Sequence, residues 1–567
     1  MVKFLKKRKP YHKVCYPFIL FFALLFSSFG QGNIQLSFTD TSTSIQCRHK
    51  IDTVLYLVVP ENQYSIYFEN SSDTDYLHMD TSVFYFRDCF GLRLHLYGNC
   101  EDSAINIQLT YSFPSKRQRI SDVFYPTYRK LFVNFNERNY DYKGLMQILF
   151  LCYEPFGLTV NRFFQRVRFN GFDCLLVTVD STWSVDSLQQ IVQSYYEMNQ
   201  TDFLILVGDY QHIKSYDMDE GLSDLRYGMI KGLDDFPEMI VGRIAGNDTD
   251  EIALQIDKIL SPPLLYPLPP KKAIGIASDS YSNLTGMYDW EYMRNIRNKL
   301  MNRDYEKVYE FYEGSQREED SEGNPLPDDI IAAVNQGVSL INYLGYGSYD
   351  TWETGGINNN ELLKLENTTQ FPNIFSSACL DGHFAGRRCL AEQWMNVSYR
   401  SRNQACGARS ALMFSSLIDW DAAIYAQQLF NDLVPADKEN IMLGDMYLQV
   451  YVQMLCSLQR SKDALSLIFF GFPSEWFYPI SRVNVVQMDT TDILVYPNPS
   501  QQQLNIQNKN GLIKEVKLFD LHGKTVKEQS IHNTHGILFM DDLPSGMYVL
   551  KIICDKGESL YKKIVKQ

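Results

Sequence analysis

The strongest constraint on the fold is an alternation of apolar strands and amphipathic helices between residues 143 and 480. Adjacent parallel strands need a crossover of about a dozen residues, which a helix usually supplies. The alternation therefore predicts an α/β domain with a mostly parallel sheet and helices on both faces. The predicted elements are strands at 146–152, 172–179, 203–209, 238–243, 272–278 and 410–416, two more strands that end at Tyr346 and Cys379, and helices at 158–170, 185–196, 288–302 and 421–433.

Two β-rich regions flank the α/β domain. Residues 31–142 alternate apolar and polar side chains, as at 54–59 and 92–97, which predicts an all-β N-terminal region. Residues 489–567 contain short alternating strands separated by turn signals, which predicts a small β-sandwich. A chain of 567 residues is too long for one hydrophobic core, so several domains are expected.

Residues 1–30 are typical of an export signal. Basic residues from Lys3 to Lys13 precede an apolar run at 16–26, and Ser28 and Gly30 supply small residues for cleavage. The alternative is an uncleaved anchor, but the apolar run is short for a membrane span. We therefore expect an exported protein in which disulfides can form.

The ten cysteines that remain after removal of residues 1–30 show no Cys-x-x-Cys or His-x-x-x-His spacing, so we expect no structural zinc site. Cys89 and Cys100 lie close enough in sequence to pair across a loop. The formal net charge of −14 argues against a nucleic-acid partner, which requires a concentrated basic patch.

Acidic residues in predicted loops before the strand at 238–243 have several uses. Asp224, Asp234 and Asp235 could orient a catalytic base, line a pocket for a basic side chain or bind calcium. Loop carboxylates are most often simply solvated, and the sequence does not decide among these uses. No cofactor is assigned, and calcium stays open.

Two predicted strands end in short polar turns that carry candidate catalytic residues. One strand ends at Tyr346-Gly347 and the other at Cys379, which Ala precedes and Asp-Gly follows. Chemistry in α/β folds concentrates at the carboxyl ends of strands. Cys379 is therefore a candidate nucleophile, although a buried free Cys is also common. Backbone N–H groups at Gly347 and Cys379 could stabilise an oxyanion, although a loop Gly is usually only a turn residue.

A cysteine nucleophile needs a base, and the sequence offers no obvious one. Tyr346 occupies the neighbouring strand end where a His would be expected. A phenol titrates near 10 and an imidazole near 6.5, so tyrosine is a poor proton acceptor at neutral pH. His383 and His212 are alternatives, although both are more readily explained as structural. Losing the base costs on the order of a thousandfold to a millionfold in rate.

Several stretches together resemble the gingipain family of cysteine peptidases, which has a caspase-like fold. The paired blocks Gly-Tyr346-Gly and Ser-Ser-Ala-Cys379-Leu-Asp-Gly-His carry the resemblance, and further similar stretches lie at 204–209, 227–243, 389–392 and 411–420. The resemblance implies that Cys379 matches the family nucleophile. It also implies that Tyr346 stands at the position of the catalytic His, a departure that puts activity in doubt.

The C-terminal residues resemble the sorting domain of the type IX secretion system. Tyr-Pro-Asn-Pro-Ser at 496–500, Leu-Pro-Ser-Gly-Met-Tyr at 543–548 and the closing Tyr-Lys-Lys-Ile-Val-Lys carry this resemblance. It implies that the secretion machinery is a partner, and that the protein is secreted or held at the outer-membrane surface of a Gram-negative bacterium. Residues 31–142 stand where gingipain-like proteins carry a profragment.

These observations lead to one main expectation and two alternatives. The main expectation is a secreted gingipain-like cysteine endopeptidase that acts on protein or peptide substrates and is degenerate at Tyr346. The first alternative is an inactive pseudopeptidase that serves as a cell-surface binding protein. The second, a processing component of the secretion machinery, fits less well because a sorting domain marks cargo.

Overall fold

The computed structural model describes residues 34–566 with gaps at 40–41, 62, 70–75, 114–116, 143–145, 170–171, 261–270, 284, 400–403, 437–440, 459–460, 478–492, 499, 510, 520–524, 545 and 555–558. The predicted export signal at 1–30 lies outside these residues. The chain divides into two compact units, and the N-terminal strands and most of the α/β domain share the first, within residues 1–157, 175–259 and 269–477. None of the helices described reaches the length and hydropathy needed to cross a membrane.

The N-terminal region is almost entirely β-structure, as predicted. Its sheet has the order β1-β2-β5-β3, and β4 pairs with β5. Alternate residues such as Ile45, Leu57 and Leu94 form its apolar core. The elements are β1 (Ile34–Thr39), β2 (Ser42–Val58), β3 (Tyr64–Glu69), β4 (Tyr76–Phe86), β5 (Cys89–Tyr111), β6 (Gln118–Ile120), α1 (Tyr125–Leu131) and β7 (Tyr140–Tyr142).

The suggested pairing of Cys89 with Cys100 is wrong. Both residues belong to the single strand β5, where a rise of about 3.3 Å per residue separates them by roughly 35 Å. Cys89 is a buried free thiol.

The α/β domain follows the predicted alternation of strands and helices. Its elements are β8 (Gln147–Tyr153), α2 (Gly157–Phe169), β9 (Asp173–Val179), α3 (Val185–Asn199), β10 (Phe203–Val207), β11 (Tyr216–Met218), β12 (Gly221–Ser223), β13 (Ile240–Ile244), α4 (Thr249–Leu260), β14 (Lys272–Ala277), β15 (Tyr281–Ser282), β16 (Met287–Tyr288), α5 (Asp289–Met301), β17 (Lys307–Tyr312), α6 (Pro327–Asn335), β18 (Leu340–Leu344), β19 (Thr351–Trp352), β20 (Ile357–Asn358), β21 (Asn373–Ser377), α7 (Leu390–Asn396), β22 (Ser398–Tyr399), β23 (Gln404–Ala405), β24 (Ser410–Phe414), α8 (Trp420–Leu433), α9 (Leu443–Leu458), α10 (Ser461–Leu465) and β25 (Leu467–Phe470).

Ten of these strands form one sheet in the order β17-β14-β18-β21-β24-β25-β13-β10-β8-β9. The run from β17 to β24 is parallel, and so is the run β13-β10-β8. β25 is antiparallel to β24 and meets β13 through one bridge, Arg243 opposite Phe470. Every residue of β10, β18, β21 and β24 is buried, as expected for strands covered on both faces.

Helices cover both faces of the sheet, which confirms the predicted architecture. On one face α5 and α8 pack over β14, β18 and β21, and the rings of Phe375 and Phe430 stack 4.4 Å apart. On the other face Ile341 and Ile374 share a core with Val334 of α6 and Trp394 of α7. Side chains that alternate along β18 and β21 therefore enter different environments.

The C-terminal strands form two sheets around one core, as a small β-sandwich does. The sheets have the orders β26-β27-β30 and β29-β28-β31-β32, and Leu504, Val516 and Leu550 contribute to the shared core. The strands are β26 (Ile493–Tyr496), β27 (Gln503–Asn508), β28 (Ile513–Phe519), β29 (Thr525–Asn533), β30 (His535–Phe539), β31 (Gly546–Cys554) and β32 (Ser559–Lys566).

Candidate active site

The strands β18 and β21 end side by side and carry Tyr346 and Cys379 to the same edge of the sheet. Their parallel register ends with Leu344 opposite Ser377. Tyr346 and Cys379 each follow two residues later, so the sequence correctly predicted that these two turns meet.

Gly347 brings the two turns into direct contact. A Cβ atom added at Gly347 would lie 2.8 Å from the Cβ of Ala378 and 3.2 Å from the carbonyl oxygen of Cys379. Any larger residue would push the turns apart, so glycine is required here by close approach and not only by turn geometry. The backbone of Gly347 therefore lies beside the backbone of the candidate nucleophile.

The turn that follows Cys379 has a strained backbone. Leu380 adopts a φ of 64°, a left-handed conformation that costs roughly 1–2 kcal/mol for a residue with a Cβ. Hydrogen bonds hold it there, from the N–H of Leu380 to the carbonyl of Ser416 (3.2 Å) and from the N–H of Gly382 to that of Phe414 (3.0 Å). Strain of this kind clusters at functional sites.

The thiol of Cys379 is half-buried against Ile418, which follows β24. The Ile418 N–H donates to Sγ over 3.5 Å, and Sγ lies 3.8 Å from the Ile418 carbonyl oxygen. Burial raises the pKa of Cys379, the Ile418 N–H opposes that rise, and the negative charges of Asp381 and Asp463 add to it. The net effect favours the protonated thiol, whereas a cysteine nucleophile reacts as the thiolate.

Tyr346 follows the neighbouring strand β18 and is 59% exposed. Its ring contacts the ring of Trp420 with centroids 4.8 Å apart. The indole N–H of Trp420 donates to Oδ1 of Asp289 over 3.0 Å, and burial raises the pKa of Asp289 to about 7. Tyr346 and Cys379 thus contact one short segment, Ile418–Trp420, from two sides. We call the space between them the crevice.

Each of the two alternative histidines has its own contacts. Nδ1 of His383 lies 2.9 Å from the carbonyl oxygen of Ser415, so it donates to that oxygen. His212 follows β10 and stacks on Tyr153, four strands from β21 or about 19 Å at the usual strand spacing. Within the described ranges no imidazole hydrogen-bonds to the Cys379 sulfur.

Asp381 lies beneath the two turns and was missed as a functional candidate. Its side chain is fully buried and accepts hydrogen bonds from Ser376 Oγ and from the indole N–H of Trp352, the latter over 3.0 Å. Trp352 stacks on Tyr343 with centroids 4.5 Å apart, and the hydroxyl of Tyr343 donates to the Tyr346 carbonyl over 2.5 Å. This chain of contacts joins the Cys379 turn to the Tyr346 turn.

The acidic loop residues have structural partners. Asp224 accepts two hydrogen bonds from the buried Arg243 guanidinium, at 2.6 and 2.7 Å, which overturns its suggested exposure in a solvated loop. Asp234 accepts the N–H groups of Tyr85 and Phe236. Across the described part of the chain, no three His, Cys, Asp or Glu side chains are grouped to hold a metal ion.

A cavity of ≈ 390 Å³ opens beside Ile418. It is lined by Glu220, Leu417, Ile418, Asp419, Ser461, Lys462 and Asp463. Lys462 pairs with Glu220, and the charge of Asp463 reaches the Cys379 thiol. The cavity and the Cys379 thiol therefore share Ile418 as a neighbour.

Family models match most of the chain. The model described as peptidase family C25 matches residues 146–474, and the model described as a secretion system C-terminal sorting domain matches residues 494–567.

Curated relatives and solved structures agree with these matches. Gingipain R1 of Porphyromonas gingivalis is 25% identical over 327 residues, 55% of this chain and 32% of the relative. Gingipain R2 is 28% identical over 266 residues, 45% of this chain and 34% of the relative. The chain thus spans about a third of the length of these relatives.

The crystal structure of the Arg-specific cysteine proteinase gingipain R superposes with a TM-score of 0.56 at 21% identity, covering 75% of this chain and 98% of that one. The complex of Porphyromonas gingivalis RgpB pro- and mature domains gives a TM-score of 0.54 at 21% identity, covering 74% and 100%. At this level of identity, these structures establish the shared fold.

Proposed function

The chain belongs to peptidase family C25, and from that premise we propose that it is a degenerate cysteine peptidase whose crevice binds a peptide and hydrolyses it weakly or not at all. The observation that carries the proposal is the environment of Cys379. The nucleophile position is kept, but burial raises its pKa and the neighbouring turn presents Tyr346 instead of an imidazole.

Peptide hydrolysis by a cysteine requires three groups in contact with the substrate. A thiolate attacks the carbonyl carbon, a base takes the thiol proton and later protonates the leaving amine, and backbone N–H groups stabilise the oxyanion. Cys379 supplies the sulfur, and the backbone at Gly347 and Cys379 supplies candidate donors. Tyr346 stands where the base is needed, and a phenol is a poor acceptor for the Cys379 proton at neutral pH.

The crevice remains suited to binding even without turnover. Tyr346 and Trp420 offer an aromatic surface, and the cavity of ≈ 390 Å³ lies beside Ile418. A pseudopeptidase that captures a protein or peptide at the cell surface fits this geometry. A weakened peptidase remains the competing function, because His383 lies in the same turn as Cys379.

The sorting domain indicates a secreted or cell-surface protein. We propose the following organisation: an export signal at 1–30, an N-terminal β domain at 31–142, the peptidase-like domain at 143–480 and the sorting domain at 489–567. The type IX secretion machinery is then the partner of the last domain, and passage through the outer membrane precedes any function of the crevice.

The test is a comparison of wild type with Tyr346→His. We expect wild type to hydrolyse generic peptide reporters weakly or not at all, and Cys379 to react slowly with a thiol reagent at pH 7. Tyr346→His should speed that labelling by about tenfold or more, because an adjacent imidazole lowers a thiol pKa. Peptide mapping assigns the label to Cys379.

Tyr346→Phe is the matched control, since it keeps the ring against Trp420 and removes only the hydroxyl. We expect it to label like wild type. Brisk wild-type turnover that Cys379→Ala abolishes would mean that another base serves, and the pseudopeptidase proposal would fail. Equal labelling of all three forms would refute the pairing of positions 346 and 379.

A further inference from the structure

The turn between β4 and β5 inserts an arginine into the α/β domain. Arg87 is almost fully buried and adopts a φ of 49° at the tip of this hairpin. Arginine is rarely buried unless it is paired, so this position requires a set of acceptors on the other side. The tip of this hairpin comprises residues 84–89.

The guanidinium of Arg87 finds those acceptors immediately before two strands of the sheet. Nη2 donates to Asp202 Oδ1 (2.7 Å) and to the carbonyl of Gln200 (2.6 Å), and Nη1 donates to the carbonyl of Thr201 (2.7 Å) and to that of Glu238. Removing one partner of such a buried group leaves the others uncompensated, which is strongly destabilising.

Further contacts surround this anchor. Asp202 also accepts the Ser121 hydroxyl at 2.5 Å, so its carboxylate is held by two parts of the N-terminal region. Phe84 stacks on Phe236 with centroids 4.2 Å apart. The interface thus combines an apolar contact with a desolvated ion pair, as stable interfaces do at their centres.

The interface lies at the edge of the sheet opposite the crevice. A cavity of ≈ 710 Å³ is lined by Met146, which precedes β8, by Arg303, which precedes β17, and by Lys130 of α1. The amino ends of both parallel runs therefore share one edge, and the N-terminal region borders it. Cys379 follows the carboxyl end of β21, and a five-residue strand spans about 16 Å.

Position along the sheet separates the two sites further. β10, which follows Asp202, is four strands from β21, or about 19 Å. The sideways distance of about 19 Å and the strand length of about 16 Å together place Arg87 more than about 20 Å from the Cys379 turn. The contacts at the anchor itself therefore lie away from the Cys379 turn.

We infer that the N-terminal β domain is a permanent part of the mature protein, anchored by Arg87, and that the crevice is accessible while this domain is in place. The N-terminal domain then stabilises the α/β domain and does not act as a removable inhibitor.

The test is to cut the chain between Tyr142 and Gln147, where a specific protease site is introduced. After cleavage of the folded full chain, we expect the two pieces to co-elute in size-exclusion chromatography. The rate of Cys379 labelling should change by less than about twofold, since the thiol is already accessible. Separation of the pieces, or faster labelling by about tenfold or more, would overturn the inference.

Arg87→Met tests the anchor itself, with Arg129→Met as a control at an exposed arginine of α1 whose side chain is 63% exposed. After cleavage, we expect the Arg87→Met pieces to separate at concentrations at which wild type and Arg129→Met stay together. Retention equal to wild type would refute the role of Arg87. If Arg87→Met does not fold, cleaved wild type alone decides the main inference.

Discussion

The buried carboxyl of Asp381 should make the stability of the α/β domain depend on pH. Burial raises the pKa of Asp381 to about 8, although Ser376 and Trp352 donate hydrogen bonds that oppose the rise. Between about pH 4 and 8 the folded protein therefore holds a proton that the unfolded chain has lost. The free energy of unfolding should fall as pH rises through this range, and the stabilising effect is fully present below pH 4.

The size of this effect follows from the difference between the folded and ordinary pKa values. At about 1.4 kcal/mol per pKa unit, a rise from 3.8 to about 8 corresponds to ~6 kcal/mol in a rigid site. Because a buried site relaxes when its carboxyl ionises, as an effective dielectric constant near 20 implies, we expect about half of this, ~3 kcal/mol.

The assay is urea unfolding of wild type and Asp381→Asn at pH 4 to 9, so that the series begins near the ordinary pKa of the carboxyl. All six tryptophans lie between residues 183 and 476, so tryptophan fluorescence reports the α/β domain. Asn imitates the neutral acid, so wild type should lose ~3 kcal/mol relative to the variant as pH rises. Other buried carboxyls, such as Asp289 and Asp445, titrate in the same way in wild type and in the variant, so their contributions cancel in the difference between the two unfolding free energies. A difference that stays constant with pH would refute the reasoning.

Two further predictions concern Gly347 and Lys258. Gly347→Ala should destabilise the protein by about 1–3 kcal/mol because the added Cβ collides with Ala378. Gly157→Ala is the control and should leave the stability unchanged, because its Cβ meets only the Thr178 methyl at 3.5 Å. Equal melting temperatures of the two variants would contradict this prediction. Burial lowers the pKa of Lys258 to about 7. Between pH 7 and 10 the unfolded chain therefore holds a proton on this lysine that the folded protein has lost, and the free energy of unfolding should rise with pH. Lys258→Met should abolish that rise, and the control variant Lys299→Met, at an exposed lysine, should keep it.

The sequence predicted the α/β fold well because its signals are local. Apolar runs bounded by Gly or polar turns gave β8, β14 and β24 within two residues, and amphipathic spacing gave α5 and α8 with similar accuracy. The adjacency of the Tyr346 and Cys379 turns also followed from local pattern, because consecutive parallel strands usually pair.

The rest of the site depends on contacts between distant parts of the chain. In the sequence Asp381 looks like an ordinary Asp-Gly turn residue, because the hydrogen bond that it accepts from Trp352 joins residues 29 positions apart. Two further contacts also join distant segments, those of Trp420 with Tyr346 and of Arg87 with the residues before β10. A periodic pattern in the sequence cannot predict such contacts. Asp224 was expected among solvated loop carboxylates because its partner, Arg243, lies inside a strand that the sequence marks only as apolar.

Strand β25, the last of the α/β domain in sequence, is antiparallel to β24 and joins the two parallel runs of the sheet. Five parallel strands end at β24 and the others begin at β13, and within the sheet residues 467–470 join the two halves. Until this segment is in place, each half presents an unpaired edge of the kind that promotes aggregation. Chains that end before residue 467 should therefore aggregate through these two unpaired edges. Because β25 pairs with strands that are distant in sequence, the peptidase-like domain has a high contact order and should fold slowly.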